Sequence, residues 1–332
     1  MMNLTSKSRK SRLNYFKATL CAVFFLAALL MYGQLSVLAS DKVSWTADMV
    51  AAYRAIAALD SDENVRNPDY LASRFVRPEF KTKFPAFDPG FEGARKVVQE
   101  SPAYFYVNAR THHIDTILKQ EAANGVNQVI ILGAGYDSRA YRFRDAFPRL
   151  RFFEVDLPAM SLQKKLRVKE IFGYLPENVV HIPLDFNTQS LKAALIEAGY
   201  TPTKKSLFIW EGVTYFISPE GVDSTLKFIA KHASPGSSVV FDYMLLPVIE
   251  GDYRYYGSRR IATAVARRGE PYIFGIREGG AEHFVRSKGL TPNSDLGPKD
   301  LTQAYLIRRD GSVDGRMAEF LRIMQARVQE MN

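Results

Sequence analysis

Between residues 128 and 245 the sequence alternates short apolar runs with stretches of helical character, and this alternation constrains the fold more than any other feature. Each run is rich in β-branched and aromatic residues and has the length of one buried strand. The runs are residues 128–132, 151–155, 179–184, 206–210 and 238–245, and the helix-like stretches between them include residues 157–172, 189–198 and 219–232. Continuous apolar strands separated by helices predict an α/β fold with a mostly parallel sheet and helices on both faces.

The residues that follow the first two runs have the properties of a nucleotide site, because ligands of such sheets bind outside the carboxyl ends of the strands. The first run leads into Gly133-Ala134-Gly135, where missing side chains let a ligand approach the backbone closely. Asp156 follows the second run, 21 residues after Gly135. An acid at this spacing can accept hydrogen bonds from both hydroxyls of a ribose.

The next two runs also end in polar residues. Asp185 and Phe186 follow the third run, and this carboxylate next to an aromatic ring suits the amino group and the face of an adenine. Glu211 follows the fourth run. Acids after strands are commonly turn residues or helix caps, but four successive strands with such residues at one edge favour an adenosine-containing ligand.

The turn after the first run departs from the dinucleotide pattern G-x-G-x-x-G. Ser138 replaces the third glycine, and Asp137 puts an acid where a phosphate would sit at a helix N-terminus. Upstream, Arg110 falls in the apolar stripe of a helix predicted to begin near Ser101-Pro102, so its guanidinium requires an anion. That anion is either an Asp or Glu of the protein or a carboxylate or phosphate of a ligand, unless the side chain extends to solvent at the edge of the stripe. S-adenosyl-L-methionine combines an adenosine, a sulfonium that acids tolerate, and a carboxylate.

Composition and charge disfavour two other classes of site. The chain has one cysteine, Cys21, and its five histidines lack metal-ligand spacing, so no metal site is expected. The net charge is +9, but five Lys and Arg residues without any acid lie in the first 40 residues, which leaves +4 for the rest. Without a basic stripe interleaved with aromatics, nucleic acid is not the expected partner.

Residues 1–40 are predicted to form a leader that precedes one domain over residues 41–332. The five basic residues are followed by an apolar segment over residues 18–39, which suits either a signal peptide cleaved near Ala39 or a membrane anchor of about 20 residues. A membrane-associated protein is therefore expected. The alternatives are export after cleavage, a cytoplasmic protein whose translation starts at Met31, and a buried core helix.

Several motifs together resemble the leucine carboxyl methyltransferase superfamily, most closely its bacterial branch of S-adenosyl-L-methionine-dependent methyltransferases. They are WTADMVAAYRA, NPDYLASRF, ARTHHID, VIILGAGYDSRAYRF, FFEVDLP, PLDF and WEGVTYFIS, within a match from Trp45 to at least Leu306. The resemblance implies a class I methyltransferase-like, Rossmann-like fold. This fold has a mostly parallel seven-stranded sheet with helices on both faces, an N-terminal helical cover and a C-terminal lid insertion.

The resemblance also implies roles for the residues at the strand ends. Arg110 would contact the methionine carboxylate, and Gly133 and Gly135 would form the turn under the cofactor. Asp156 would hold the ribose. Asp185 and Phe186 would contact the adenine end of the cofactor, and Glu211 would close the pocket. The expected activity is O-methylation of a carboxylate or hydroxyl on a small molecule or chain terminus.

No catalytic residue is assigned from the sequence. Methyl transfer is an in-line displacement, so a carboxylate acceptor needs no base, whereas a hydroxyl acceptor does. His113 and His283 are candidate bases, with packing or surface roles as the alternative. Residues 250–289 are expected to form the acceptor pocket or lid for an amphipathic acid, or else an ordinary pair of capping helices.

Two other functions stay open at this point. A nicotinamide-dependent oxidoreductase is disfavoured by Ser138 and Asp137. A membrane-tethered binding module would keep the fold without turnover.

Overall fold

The computed structural model describes residues 44–83, 91–186 and 189–329. The predicted leader and its apolar segment, residues 18–39, lie outside these residues. Across the three described ranges, no helix combines the length and apolarity needed to cross a membrane.

One seven-stranded sheet forms the centre of the domain. Its strands are β1 (Gln128–Leu132), β2 (Arg151–Asp156), β3 (Val179–Pro183), β4 (Ser206–Trp210), β5 (Ser238–Met244), β6 (Leu290–Leu296) and β7 (Leu321–Val328). They are arranged in the order β3-β2-β1-β4-β5-β7-β6. Strand β7 is antiparallel to both neighbours, and the other neighbouring pairs are parallel. The predicted class I methyltransferase-like fold is confirmed.

The apolar runs predicted β1 to β5 to within one residue because these strands carry few polar positions. Every residue of β1, β4 and β5 is buried, as expected for strands covered on both faces. Strand β6 has the polar sequence LTPNSDL and a register shift between Pro292 and Ser294. It lies at the edge of the sheet, where proline is tolerated.

The helices cover both faces of the sheet and add an N-terminal cover. They are α1 (Trp45–Ala57), α2 (Ala72–Phe75), α3 (Pro78–Lys83), α4 (Phe91–Val98), α5 (Pro102–Ala123), α6 (Arg139–Arg142), α7 (Pro158–Phe172), α8 (Leu191–Glu197), α9 (Pro219–His232), α10 (Leu246–Ile249), α11 (Ser258–Ala266), α12 (Ala281–Arg286) and α13 (Pro298–Tyr305). A short 3-10 helix, Thr214–Phe216, follows β4. Residues 63–100 contain α2, α3 and α4 and form part of this cover.

Helix α5 is buried around most of its circumference. It contacts α1, α13 and β4, so polar residues such as Asn108, Thr111 and Asp115 are buried together with the apolar ones. The prediction of a single apolar stripe was too narrow, because it did not include the partners on the cover side. This burial places Arg110 inside the domain.

Buried ion pairs attach the cover to the sheet edge. Arg54 on α1 pairs with Asp69 at 2.9 Å, and its Nη2 donates to the carbonyl of Tyr136 in the turn after β1 at 2.7 Å. Arg95 on α4 pairs with Asp60 at 3.1 Å and with Asp314 near the C-terminus at 2.8 Å. The cover therefore packs directly over the carboxyl ends of the strands.

Residues 250–289 contain α11 and α12, joined by a segment that returns to the sheet. The amide of Ile273 in this segment donates to the carbonyl of Tyr215 after β4 at 2.8 Å, and the amide of Leu246 donates to Ile276 at 2.9 Å. The region thus holds the pair of helices named as one alternative. It also reaches the loop where the site was predicted.

Candidate cofactor site

The turn after β1 contains two glycines with different surroundings. Gly133 and Gly135 both have positive φ, +69° and +42°. A Cβ at Gly133 would collide with Val213 Cγ2, so that glycine is required by packing against the loop after β4. A Cβ at Gly135 would meet its nearest atom, Ala47 Cβ, only at 3.8 Å. The backbone at Gly135 is therefore open to a ligand.

Asp156 lies directly beside this open backbone. Its Oδ2 accepts the N–H of Gly135 at 2.6 Å, and its Oδ1 accepts the N–H of Leu157 at 2.7 Å. Burial raises the pKa of Asp156 above its usual value, although the two backbone N–H groups oppose this change. Because each carboxylate oxygen has two lone pairs, both can still accept a hydroxyl. The geometry fits the predicted ribose contact.

A buried lysine that sequence reasoning missed supports the same turn from below. Lys164 on α7 lies with Nζ 2.8 Å from Glu154 Oε1, and this amine donates to the carbonyl of Ala134 at 3.3 Å. Tyr141 donates to the second oxygen of Glu154 at 3.1 Å. An ion pair under the turn therefore fixes its backbone.

The two residues that break the dinucleotide pattern have structural partners. Ser138 donates to Asp69 Oδ1 at 2.5 Å and accepts from Arg142 Nε at 2.8 Å. Asp137 pairs with Arg139 at 2.6 Å. The side chains at these positions thus tie the turn to the cover and to α6.

Arg110 lies at the neighbouring strand ends and already faces two carboxylates. Its Nη1 is 2.5 Å from Asp242 Oδ2 on β5, and its Nε is 2.9 Å from Glu211 Oε1 after β4, as an ion pair rather than an aligned hydrogen bond. The guanidinium also lies against Gly212, where a Cβ would be 3.4 Å from Nη1. The protein itself therefore supplies anions for this buried arginine, and contact with a ligand carboxylate stays a prediction.

Asp242 connects several elements of the site, and sequence reasoning missed it. Its Oδ1 accepts the N–H of Gly212 at 2.6 Å, and its Oδ2 accepts the hydroxyls of Tyr106 at 3.2 Å and Tyr215 at 3.3 Å. The sequence feature that could have identified Asp242 is an acid within the apolar run SVVFDYML, because a carboxylate in a buried strand requires partners. Asp242 is fully buried.

Glu211 is shared between two arginines. Its Oε2 lies 2.5 Å from Arg139 Nη1, while its Oε1 faces Arg110. Burial raises the pKa of Glu211, but the charges of Arg139 and Arg110 outweigh burial and lower the pKa to about 2. Glu211 is therefore ionised at neutral pH.

These residues belong to one connected cluster of buried charges, which we call the charge cluster. It joins Arg54, Arg110, Arg139 and Arg142 with Asp69, Asp115, Asp137, Glu211 and Asp242. The carboxylates of this cluster outnumber its guanidinium groups by one. A cation bound beside it would restore neutrality, which favours a ligand such as a sulfonium over a phosphate.

Asp185 and Phe186 follow β3 beside Asp156. Asp156 pairs in register with Pro183, two residues before Asp185. The amide of Asp185 donates to Gln189 Oε1 at 2.9 Å, and the half-buried Phe186 packs against the hydrophobic core. The structure brings both residues to the predicted edge, and their adenine role stays a prediction.

The two candidate bases lie elsewhere. His113 Nδ1 is 3.0 Å from the hydroxyl of Tyr305 on α13, and burial lowers the pKa of His113 to about 4. His283 is exposed on α12, which packs against the edge strand β6. Neither position supports proton abstraction at the ends of β1 and β4.

This edge of the sheet offers a carboxylate for a ribose, an open glycine backbone and an excess of negative charge. Residues 47–230 match the family model of leucine carboxyl methyltransferase. The chain belongs to the leucine carboxyl methyltransferase family. The resemblance predicted from the motifs is confirmed.

Curated relatives within this family carry matching names. The "Putative S-adenosyl-L-methionine-dependent methyltransferase YktD" of Bacillus subtilis is 29% identical over 201 residues, which are 60% of this chain and 66% of the relative. A protein of Mycolicibacterium smegmatis with the same description is 33% identical over 223 residues, 64% of this chain and 69% of the relative. This chain thus spans about two thirds of the length of these relatives. The prediction of an S-adenosyl-L-methionine-dependent methyltransferase is confirmed at the level of the family.

The chain is also similar to a solved structure, that of magnesium protoporphyrin IX methyltransferase from Synechocystis with bound SAH. It has a TM-score of 0.43 and 11% identity, and the match covers 68% of this chain and 85% of that chain.

Proposed function

We propose that this leucine carboxyl methyltransferase family member is an S-adenosyl-L-methionine-dependent O-methyltransferase. Its acceptor would be a carboxylate or hydroxyl on a small molecule or chain terminus. The observation that carries the proposal is the position of Asp156, which binds the open Gly135 backbone and keeps lone pairs for two further hydroxyls. The family match argues against the nicotinamide-dependent alternative.

The residues around Asp156 fit the adenosine part of the donor. Leu157 follows it directly and is 44% exposed, so its side chain can cover one face of a base. Phe186, two strands from β1, is half-buried at the same edge. These side chains would orient the adenosine while Asp156 holds the ribose.

The charge cluster would hold the methionine part. When bound, the donor supplies a methyl group made electrophilic by a sulfonium. The carboxylate excess near Glu211 and Asp242 attracts that cation, and Arg110 would bind the carboxylate end. Because the cluster is buried, its charges act with little screening by water.

The acceptor would enter between the loop after β4 and residues 250–289, which we call the lid. Tyr272 in the lid packs its ring 5.2 Å from that of Tyr215 and 5.2 Å from that of Phe216. Burial raises the pKa of both Tyr215 and Tyr272, so each hydroxyl stays protonated. Tyr215 donates its proton to Asp242, and the Tyr272 hydroxyl can donate to an acceptor oxygen. The chain's own groups would thus align the nucleophile and exclude water.

The test is transfer of a labelled methyl group from the donor to a panel of amphipathic acids and alcohols. Alkali releases methanol from methyl esters and leaves methyl ethers intact, so the product distinguishes the two acceptor classes. We expect label in at least one member and none with Asp156→Ala. Donor binding without transfer to any member would instead support the binding module.

We also propose that the protein associates with a membrane through residues 18–39. Export after cleavage and a start at Met31 are the alternatives. A topology reporter fused after Asn332 distinguishes an inside from an outside domain. Because the methyl donor is a cytoplasmic metabolite, a domain outside would favour the binding module.

A further inference from the structure

The outer side of α11 in the lid carries a concentrated positive charge. Four exposed arginines, which we call the lid arginine face, lie at one side of this helix and just beyond its end: Arg259, Arg260, Arg267 and Arg268. No acid occurs from residue 253 to residue 269. On the opposite side Val265 is buried and Ile261 is half-buried, so the apolar side packs inward and the basic side faces solvent.

The contacts of Arg259, Arg260 and Arg268 leave their charge in place. Arg268 lies over the Trp45 ring at 4.1 Å, and Arg259 lies over the Tyr253 ring at 5.0 Å. Arg260 donates to the backbone carbonyl of Glu100 at 2.7 Å. These partners are aromatic rings and a carbonyl, so they orient the guanidinium groups without cancelling their charge. The face is suited to an anionic surface.

The start of the described chain lies beside this face. Trp45 is the ring under Arg268, and Thr46 donates to Glu270, two residues further along. The apolar segment of the sequence ends at Ala39, five residues before Ser44. Five extended residues span at most about 17 Å. A bilayer that this segment enters would therefore be within reach of the lid.

The 43 residues before Ser44 do not themselves complement the face. The first 40 carry five Lys and Arg residues and no acid, so they would repel the arginines. Anionic lipid head groups, in contrast, attract clusters of basic residues next to a membrane segment. Charge and chain connectivity favour the same occupant.

We propose that the lid arginine face docks on the surface of an anionic lipid bilayer. The proposal stands apart from the methyltransferase reaction, because it concerns residues on the outer side of the lid, but it rests on the proposed membrane association of residues 18–39. Docking of α11 would hold the lid at the bilayer surface. It would weaken at high ionic strength, since the Debye length falls from about 10 Å at 0.1 M to about 3 Å at 1 M.

The experiment uses the full-length chain with Cys21→Ser and an environment-sensitive fluorophore on Thr263→Cys. Thr263 is exposed between the arginines of α11. The protein is reconstituted with vesicles of phosphatidylcholine alone or of phosphatidylcholine mixed with phosphatidylglycerol. We expect a blue shift and a several-fold rise in emission only with the anionic vesicles, and the loss of both at high salt.

Matched charge variants distinguish binding through the lid arginine face from a general electrostatic attraction of the protein to anionic vesicles. Arg259→Gln with Arg267→Gln should abolish the emission change. Arg286→Gln with Arg309→Gln removes the same charge from side chains that are 59% and 60% exposed on other elements, and should preserve the change. Equal emission on both kinds of vesicle, or an equal loss in both double variants, would overturn the proposal.

Discussion

The two sides of the candidate site hold their carboxylates in different ways. On the β2 side, Asp156 is half-buried and accepts two backbone N–H groups. On the β4 side, Glu211 lies between Arg110 and Arg139, and Asp242 pairs with Arg110. The pKa values move in opposite directions, because burial raises that of Asp156 whereas Arg139 and Arg110 overcome burial and lower that of Glu211.

The difference indicates that the charges on the β4 side stabilise the fold in addition to facing the proposed methionine part of the donor, whereas Asp156 serves mainly the ligand. The β4 side is largely satisfied by the protein, so its charges stabilise the packing of α5 against the sheet. The β2 side keeps unused acceptor capacity at the protein surface. Substitutions on the β4 side should therefore reduce stability, and substitutions on the β2 side should reduce binding.

The largest effect is expected for Arg139→Met. This change leaves Asp115, Asp137 and Glu211 without a shared guanidinium, and breaking a buried ion pair costs about 3–5 kcal/mol. Urea unfolding would measure the loss. Arg144→Met, at a side chain that is 37% exposed, is the control and should change the free energy of unfolding by about 0.5 kcal/mol or less. Similar small effects for both variants would contradict a stabilising β4 side.

Asp156→Ala should produce the next largest effect, on binding instead of stability. Loss of two hydrogen bonds from ribose hydroxyls to a charged group should weaken S-adenosylhomocysteine binding about 100-fold or more. The free energy of unfolding should fall by only about 1 kcal/mol. Calorimetry and urea unfolding test the two parts, with the 87%-exposed Asp145 changed to Ala as the control. Retained affinity would refute the ribose assignment.

The glycines of the turn offer a smaller and more local test. Ala at either position adopts a positive φ at a cost of about 1–2 kcal/mol. Only Gly133→Ala also forces a collision with Val213, for about 1–3 kcal/mol more. Gly133→Ala should therefore unfold at lower urea than Gly135→Ala, and adding Val213→Ala should recover part of the difference. Equal midpoints would show that Val213 does not restrict this turn.

The smallest effect, counted per pH unit, is expected in the pH dependence of stability. The pKa of Glu211 is about 2 in the folded state and near 4.5 when unfolded, so the unfolded state binds the extra proton between these values. Stability should therefore fall as the pH is lowered from 4.5 toward 2. Glu211→Gln should reduce the slope by at most about 1.4 kcal/mol per pH unit. An unchanged slope in this window would contradict the lowered pKa.

The sequence predicted those parts of the fold that depend on local patterns. Strands β1 to β5 are continuous apolar runs, and their buried positions follow from that pattern. Strand β6 is polar, and β7 carries Arg322, Gln325 and Arg327 among its apolar residues, so neither was located from an apolar run. The burial of α5 around most of its circumference depends on the cover and on α13, which pack on it from distant parts of the sequence.

The site shows the same division between local and distant information. Gly135 and Asp156 were visible because a fixed spacing follows from one strand–helix–strand unit. The pairing of Arg110 with Asp242 could not be predicted in this way, because Asp242 lies 132 residues further along the chain. Lys164 was missed because a lysine in a helix is usually exposed, whereas this one reaches a buried glutamate under the turn.

Calorimetric titration of the full-length protein with S-adenosyl-L-methionine, S-adenosylhomocysteine and reduced nicotinamide dinucleotide tests the central claim most directly. The account predicts one equivalent of either sulfur ligand bound at about micromolar affinity, near −8 kcal/mol, and no binding of the dinucleotide. Absence of heat with both sulfur ligands at about 1 mM, where a binding free energy near −4 kcal/mol would still be detected, would contradict the account. Saturable binding of the dinucleotide alone would also contradict it.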